Sequence, residues 1–170
     1  MAHPASPSDV SDATWTFYVF AVLAVLIAMA PPAQAMPHEW QGGAFSQTGI
    51  PNPLQPPDTV LMHAPDDASV FDVDFVNKHM FSYRDDNLVF ASGVSVTNDG
   101  EWISLDDHGL LRSNVPVVPK FINNGTFRKT GGGPTLIVNL DFINKGEVRA
   151  DLGVIGLNSP FKTFNDGTRL

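Results

Sequence analysis

The chain has no cysteine among its 170 residues and no lysine or arginine before Lys78. The first absence excludes disulfides, thiolate metal sites, a cysteine nucleophile and a lipidated N-terminal cysteine. The second leaves the N-terminal part purely acidic: eight of the eighteen Asp and Glu precede Lys78, and the other ten are matched by all ten Lys and Arg. At a net charge of −8 and without a basic patch, the chain lacks what a phosphate backbone requires, so nucleic acid is not an expected partner. No two of the five histidines (His3, His38, His63, His79 and His108) share a metal-ligand spacing, and a G-x-S-x-G elbow is missing. The glycine-rich "TGGGPT" at 130–135 has neither the Lys nor the helix start of a phosphate loop and reads as a turn. The chain is accordingly read as non-catalytic, with no cofactor.

What the chain does have is enough apolar sequence for a core, 43% of residues, in a length that suits one domain and an appendage. Four segments follow from composition: a tail at 1–12, a transmembrane helix at 13–35, a Pro-rich extended linker at 36–67 and a β-domain at 68–170. The helix rests on "WTFYVFAVLAVLIAMA" at 15–30, a run without charge that ends at Pro31 and Pro32. At about 1.5 Å per residue it covers roughly 24 Å, short of a bilayer core of about 30 Å unless its neighbours extend it. Trp15, Phe17 and Tyr18 suit a headgroup region, with Phe20, Leu23, Leu26 and Ile27 in the lipid. A secretory signal competes with this reading, because "AQA" at 33–35 fits a cleavage site. Against it, residues 1–14 lack the basic leading region of a signal and carry only Asp9 and Asp12.

Eight prolines lie between Pro31 and Pro65. Each fixes its own φ and lacks a donor, so an extended tether is expected there. Its apolar points, Trp40, Phe45 and Leu54, either fold back on the chain's own domain or anchor in pockets of a partner.

The β-domain repeats itself. "FVNKHMF" at 75–81, "SVTNDGEW" at 95–102, "FINNGTF" at 121–127 and "FINKGEV" at 142–148 share an Asn, and with "NDGTRL" they mark Asn77, Asn98, Asn123, Asn144 and Asn165. The intervals are 21, 25, 21 and 21, the long one containing a four-residue insertion in "NVPVVPK". Gly100, Gly125, Gly146 and Gly167 stand two residues after the marker, where a corner with positive φ is expected, and large apolar residues flank it with strand alternation. A 21-residue coil cannot bury its own apolar row, but coils stacked about 4.8 Å apart bury one another. The expected fold is therefore all-β, a short parallel β-helix of about five coils, with the asparagines in a ladder up one corner. The alternative is an antiparallel β-sandwich or jelly roll. Both ends of such a stack need cover, and "ASVFDVDFV" at 68–76 is the expected first cap or edge strand.

The phrase F-x-N-x-G-[TE]-[FVW] with its Gly-rich turn resembles the repeat of right-handed parallel β-helices in bacterial surface and secreted proteins. The resemblance covers residues 70–170. In that fold Asp85-Asp86 and Asp106-Asp107, at equal offsets from their markers, stack on consecutive coils, where a hard cation such as Ca²⁺ would relieve their repulsion.

These features lead to an expected function: a membrane-anchored structural or accessory subunit of a bacterial inner or photosynthetic membrane. Its β-domain and linker would pack extracytoplasmically on the other subunits of a photosynthetic or respiratory complex. The alternative is a surface adhesion or carbohydrate-binding module with a cleaved signal, and a carbohydrate-active enzyme comes third.

Overall fold

The computed structural model describes residues 34–64, 69–133, 135–158 and 162–163. The apolar run with Trp15, Phe17, Tyr18, Phe20, Leu23, Leu26 and Ile27 lies outside them, as do Asn165 and Gly167. Among the described residues no helix is long and apolar enough to cross a membrane.

The described chain winds as a parallel β-solenoid of about five coils with three faces. The first face stacks Pro37–Trp40, Thr59–His63, Met80–Arg84, Glu101–Ser104, Thr126–Lys129 and Glu147–Ala150. The second stacks Gly43–Ala44, Ser69–Phe71, Leu88–Phe90, Leu110–Arg112, Thr135–Asn139 and Val154–Leu157. The third carries Phe75–Asn77, Ser95–Asn98, Lys120–Asn123, Asp141–Asn144 and Lys162–Thr163. Every strand pairing is parallel, which rules out the sandwich.

Alternation follows directly from the strand period: Phe81, Trp102 and Phe127 point inward from the first face, and Phe75, Val96, Phe121 and Phe142 from the third. The rings stack along the axis, Phe81 on Trp102 at 4.1 Å and Phe121 on Phe142 at 5.4 Å, and edge contacts such as Trp102 to Phe121 at 4.9 Å join the faces. Each coil thus covers the apolar row of the next.

The Pro-rich segment corrects the sequence reading. Residues 36–63 are no tether; they form the first coil and the start of the second, with Pro37–Trp40 paired to Thr59–Met62. Trp40, Phe45 and Leu54 are buried in the chain's own core and offer nothing to a partner. Phe45 packs on Phe71 and on Phe75, each at 4.7 Å, and Leu54 bridges to Asn77 on the third face. The prolines fall outside this coil's strands except at Pro37, the first residue of an edge strand, where the missing N–H costs no ladder bond. The N-terminal cap is therefore the proline segment, and Ser69–Phe71, expected as a cap or edge, is an interior strand between Gly43–Ala44 and Leu88–Phe90.

Two features of the register also differ from the sequence reading. The insertion in the 25-residue interval is divided: the second face advances by 22 (Leu88 to Leu110) before the third completes 25 (Ser95 to Lys120). At the last coil Thr163, not Asn165, stands opposite Asn144, an interval of 19. The second face shows the same shortening, Thr135 facing Val154, because the turn at 151–153 is two residues shorter than the one at 130–134.

Candidate functional site

Two corners concentrate the polar chemistry. The first joins the third face to the first, where the buried amides of Asn77, Asn98, Asn123 and Asn144 form a continuous ladder. Each Nδ2 donates to the next Oδ1 at 2.7 Å, and those of Asn77, Asn98 and Asn123 also donate to the carbonyls of Glu101, Thr126 and Glu147 at 2.9–3.0 Å. Each backbone carbonyl also works twice: Asn98 O accepts from the N–H of Asn124 and of Gly125 in the coil above. These four amides are satisfied inside the stack, while the residues that follow them, Lys78, Asp99, Asn124 and Lys145, are exposed.

The glycines here act by a different cause from the one expected. None of Gly100, Gly125 and Gly146 has positive φ. A Cβ on Gly125 would instead stand 2.1 Å from Gly100 O, and one on Gly146 2.0 Å from Gly125 O. Those carbonyls receive the N–H of Thr126 and of Glu147, so ladder bonding draws the coils too close for a side chain. His79 occupies the same position one coil earlier, where Leu54 of the coil beneath bridges to Asn77.

The second corner leads from the first face to the second and carries the aspartates. Asp85 lies below Asp106 in register, but the carboxylates turn apart. Asp85 meets the His63 ring and Arg84, while Asp86 accepts from the N–H of Ser69 and Asn87. Asp106 accepts from Asp85 N–H at 2.6 Å, His108 N–H at 2.9 Å and the His108 ring at 2.8 Å. Burial alone would raise the Asp106 carboxyl, but these hydrogen bonds outweigh it and hold the pKa below the ordinary carboxylate value. Asp107 pairs with Lys129 at 3.0 Å and with Gly133 N–H. Among the described residues no three His, Asp or Glu side chains converge as a metal site, so the Ca²⁺ candidates Asp85, Asp86, Asp106 and Asp107 are not brought together as ligands.

Lys129 belongs to none of the sequence motifs. It is fully buried, and its Nζ donates to Gly131 O at 2.5 Å and Gly133 O at 3.2 Å beside Asp107. The signal was present: alternation from inward Phe127 places Lys129 inward, in the column of Met62, Tyr83 and Ser104. Its aliphatic stem fills the corner, and the ammonium ties the glycine turn to the coil below. Lower in that column, burial pushes the Tyr83 phenol up. Lys129→Met keeps the stem but leaves two carbonyls without the ammonium and Asp107 without its counter-ion. A loss of about 2 kcal/mol is expected, read as a lower urea midpoint at unchanged m.

A shallow hollow of about 340 Å³ lies over the turn at 41–43, lined by Glu39, Gln41, Gln47 and backbone. Trp40 in its wall is 1% exposed, so no aromatic platform for a sugar is available there. The outer faces offer more. Outward-pointing residues form half-buried apolar rows: Val70, Val89 and Leu111 on the second face, and Val76, Thr97, Ile122 and Ile143 on the third. The third-face row is unbroken over four coils, with Ser95, Lys120 and Asp141 beside it.

No protein-family model, no curated protein and no solved structure matches this chain.

Proposed function

We propose that the chain is a non-catalytic structural subunit whose β-solenoid packs sideways on a larger membrane assembly on the extracytoplasmic side, held there by the apolar segment at 15–30. The observation that carries the reading is the row Val76–Thr97–Ile122–Ile143. Four β-branched side chains in register, three of them apolar and one the threonine Thr97, make a flat, largely apolar strip about 14 Å long, at the spacing of adjacent strands. Rigid flat strips with polar borders suit packing against another protein, and the buried corner asparagines are bonded to one another. The proline segment gives this reading no tether, since it is the first coil; contact has to come from the faces.

A photo-crosslinking residue at Thr97, in native membranes extracted with mild detergent, tests the proposal. Capture of subunits of a large assembly is expected. A monomer running free of any complex, with no crosslink, overturns it.

One observation favours a second reading, a secreted adhesion module: the first strand starts at Pro37, two residues past the "AQA" at 33–35. Intact mass separates the two, since cleavage leaves a mature chain beginning at Met36 and the subunit reading requires residues 1–35 to remain.

A further inference from the structure

The two ends of the stack are unlike. At the N-terminal end, Phe45, Ile50 and Leu54 are packed into the core beneath short edge strands, one of them begun by Pro37. This is the protected kind of edge. At the other end, among the described residues, Glu147–Ala150 pairs on one side only, with Thr126–Lys129. The inward residues there, Val148, Ile155 and Leu157, are only partly buried, whereas Phe127, Leu136 and Val138 one coil below are fully so.

We propose that two copies of this chain join end to end through this strand, antiparallel about a two-fold axis at Val148. The backbone has the necessary polarity. Glu147 N–H bonds down to Gly125 O and Asp151 N–H down to Lys129 O, so alternation turns the N–H and C=O of Val148 and Ala150 upward, away from the coil below. A two-fold at Val148 lets the two copies of that residue exchange both bonds, and the neighbouring pair, Glu147 opposite Arg149, falls in the non-hydrogen-bonded register where side chains are closest.

The charges fit that register. Glu147 and Arg149 both point outward from one strand, so the two-fold sets each glutamate against the other copy's arginine, twice. Arg149 stacks on Arg128, and both guanidiniums reach Asp151, at 2.5 and 2.6 Å, with Glu101 also 3.4 Å from Arg128. The glutamate of the second copy adds a carboxylate of Arg149's own beside the shared Asp151. The same contact lays apolar end on apolar end over Val148, Ile155 and Leu157. An isologous joint of this kind closes on itself and stops at a dimer.

The inference rests on the solenoid alone and stands apart from the sideways packing of the third face. Sedimentation velocity of the full chain in detergent, over a range of concentrations and salt, is the test. A dimer that weakens with salt is expected. E147R and R149E should each weaken it at least tenfold, and the double variant E147R/R149E, which restores both pairs, should recover most of that loss. Recovery also shows that the single variants fold. A monomer at every concentration, or a dimer indifferent to the single reversals, overturns the proposal. So does hydrogen-exchange protection of the Val148 and Ala150 amides in a monomer, which would place another segment of the same chain on this edge.

Discussion

Replacing Gly125 by alanine is expected to cost about 3 kcal/mol or more, the upper part of what forced overpacking costs. For a body of this size that is roughly a 10 °C fall in melting temperature. The added methyl group would meet Gly100 O at 2.1 Å, far inside contact distance, and that carbonyl is held by Thr126 N–H at 2.9 Å. The backbone cannot yield without loosening the ladder on both sides, because Gly125 O is itself the acceptor for Glu147 N–H. Gly43→Ala is the control. Gly43 has φ +80°, with nothing within 4 Å of an added Cβ, so its substitution carries only the conformational cost of about 1 kcal/mol. Thermal unfolding of the two variants separates steric from conformational cost. If Gly125→Ala falls no further than Gly43→Ala, the coils are not stacked as tightly as described.

That comparison bears on why part of the fold was legible in sequence. The 21-residue period is visible because one corner makes the same demands in every coil: an amide to bond its neighbours above and below, and two residues later no side chain at all. Selection for close approach leaves the same Asn-x-Gly signature as selection for positive φ, so sequence located the glycines without revealing their cause. The first coil was invisible for the complementary reason. At Leu54 the ladder has ended, no amide is needed, and the corner chemistry that announces a coil is absent. Proline composition then argued for a tether, although the apolar points Trp40, Phe45 and Leu54 were those that the core uses.

The corner of aspartates shows a different limit. Equal offsets from the marker were enough to put Asp85 and Asp106 on consecutive coils, but sequence does not say which way a carboxylate turns. That direction depends on partners from other coils: His63 below Asp85, and Lys129 and Gly133 above Asp107. The late register slip was hidden for a similar reason. Asn165 keeps the 21-residue spacing in sequence, while the turn at 151–153 is two residues short and moves Thr163 into the place opposite Asn144.

Asn123 sits at the middle of the ladder, and its replacement should be as damaging as that of any residue in the stack. Its Oδ1 accepts from Asn98 Nδ2, and its Nδ2 donates to Asn144 Oδ1 and Glu147 O. Asn123→Ala removes all of these and leaves Asn144 Oδ1 without its donor from below, in a place sealed from water. With buried orphans at about 1–3 kcal/mol each and a small cavity besides, a loss of about 3–5 kcal/mol is expected, read as the shift in denaturant midpoint. A mere packing role for the side chain would predict that Asn123→Leu is milder than Asn123→Ala; a ladder predicts that it is no better, since leucine restores volume and no hydrogen bond. Coupling makes the sharper test. Asn98→Ala already deprives Asn123 Oδ1 of its donor, so removing Asn123 as well takes away a group that is already orphaned. The double variant should therefore cost at least 1 kcal/mol less than the two single variants together, whereas independent sites add to within about half of that. Strict additivity would mean that the four amides lie near one another without acting as one bonded column, and the stacking of coils would then owe its register to the aromatic rows alone.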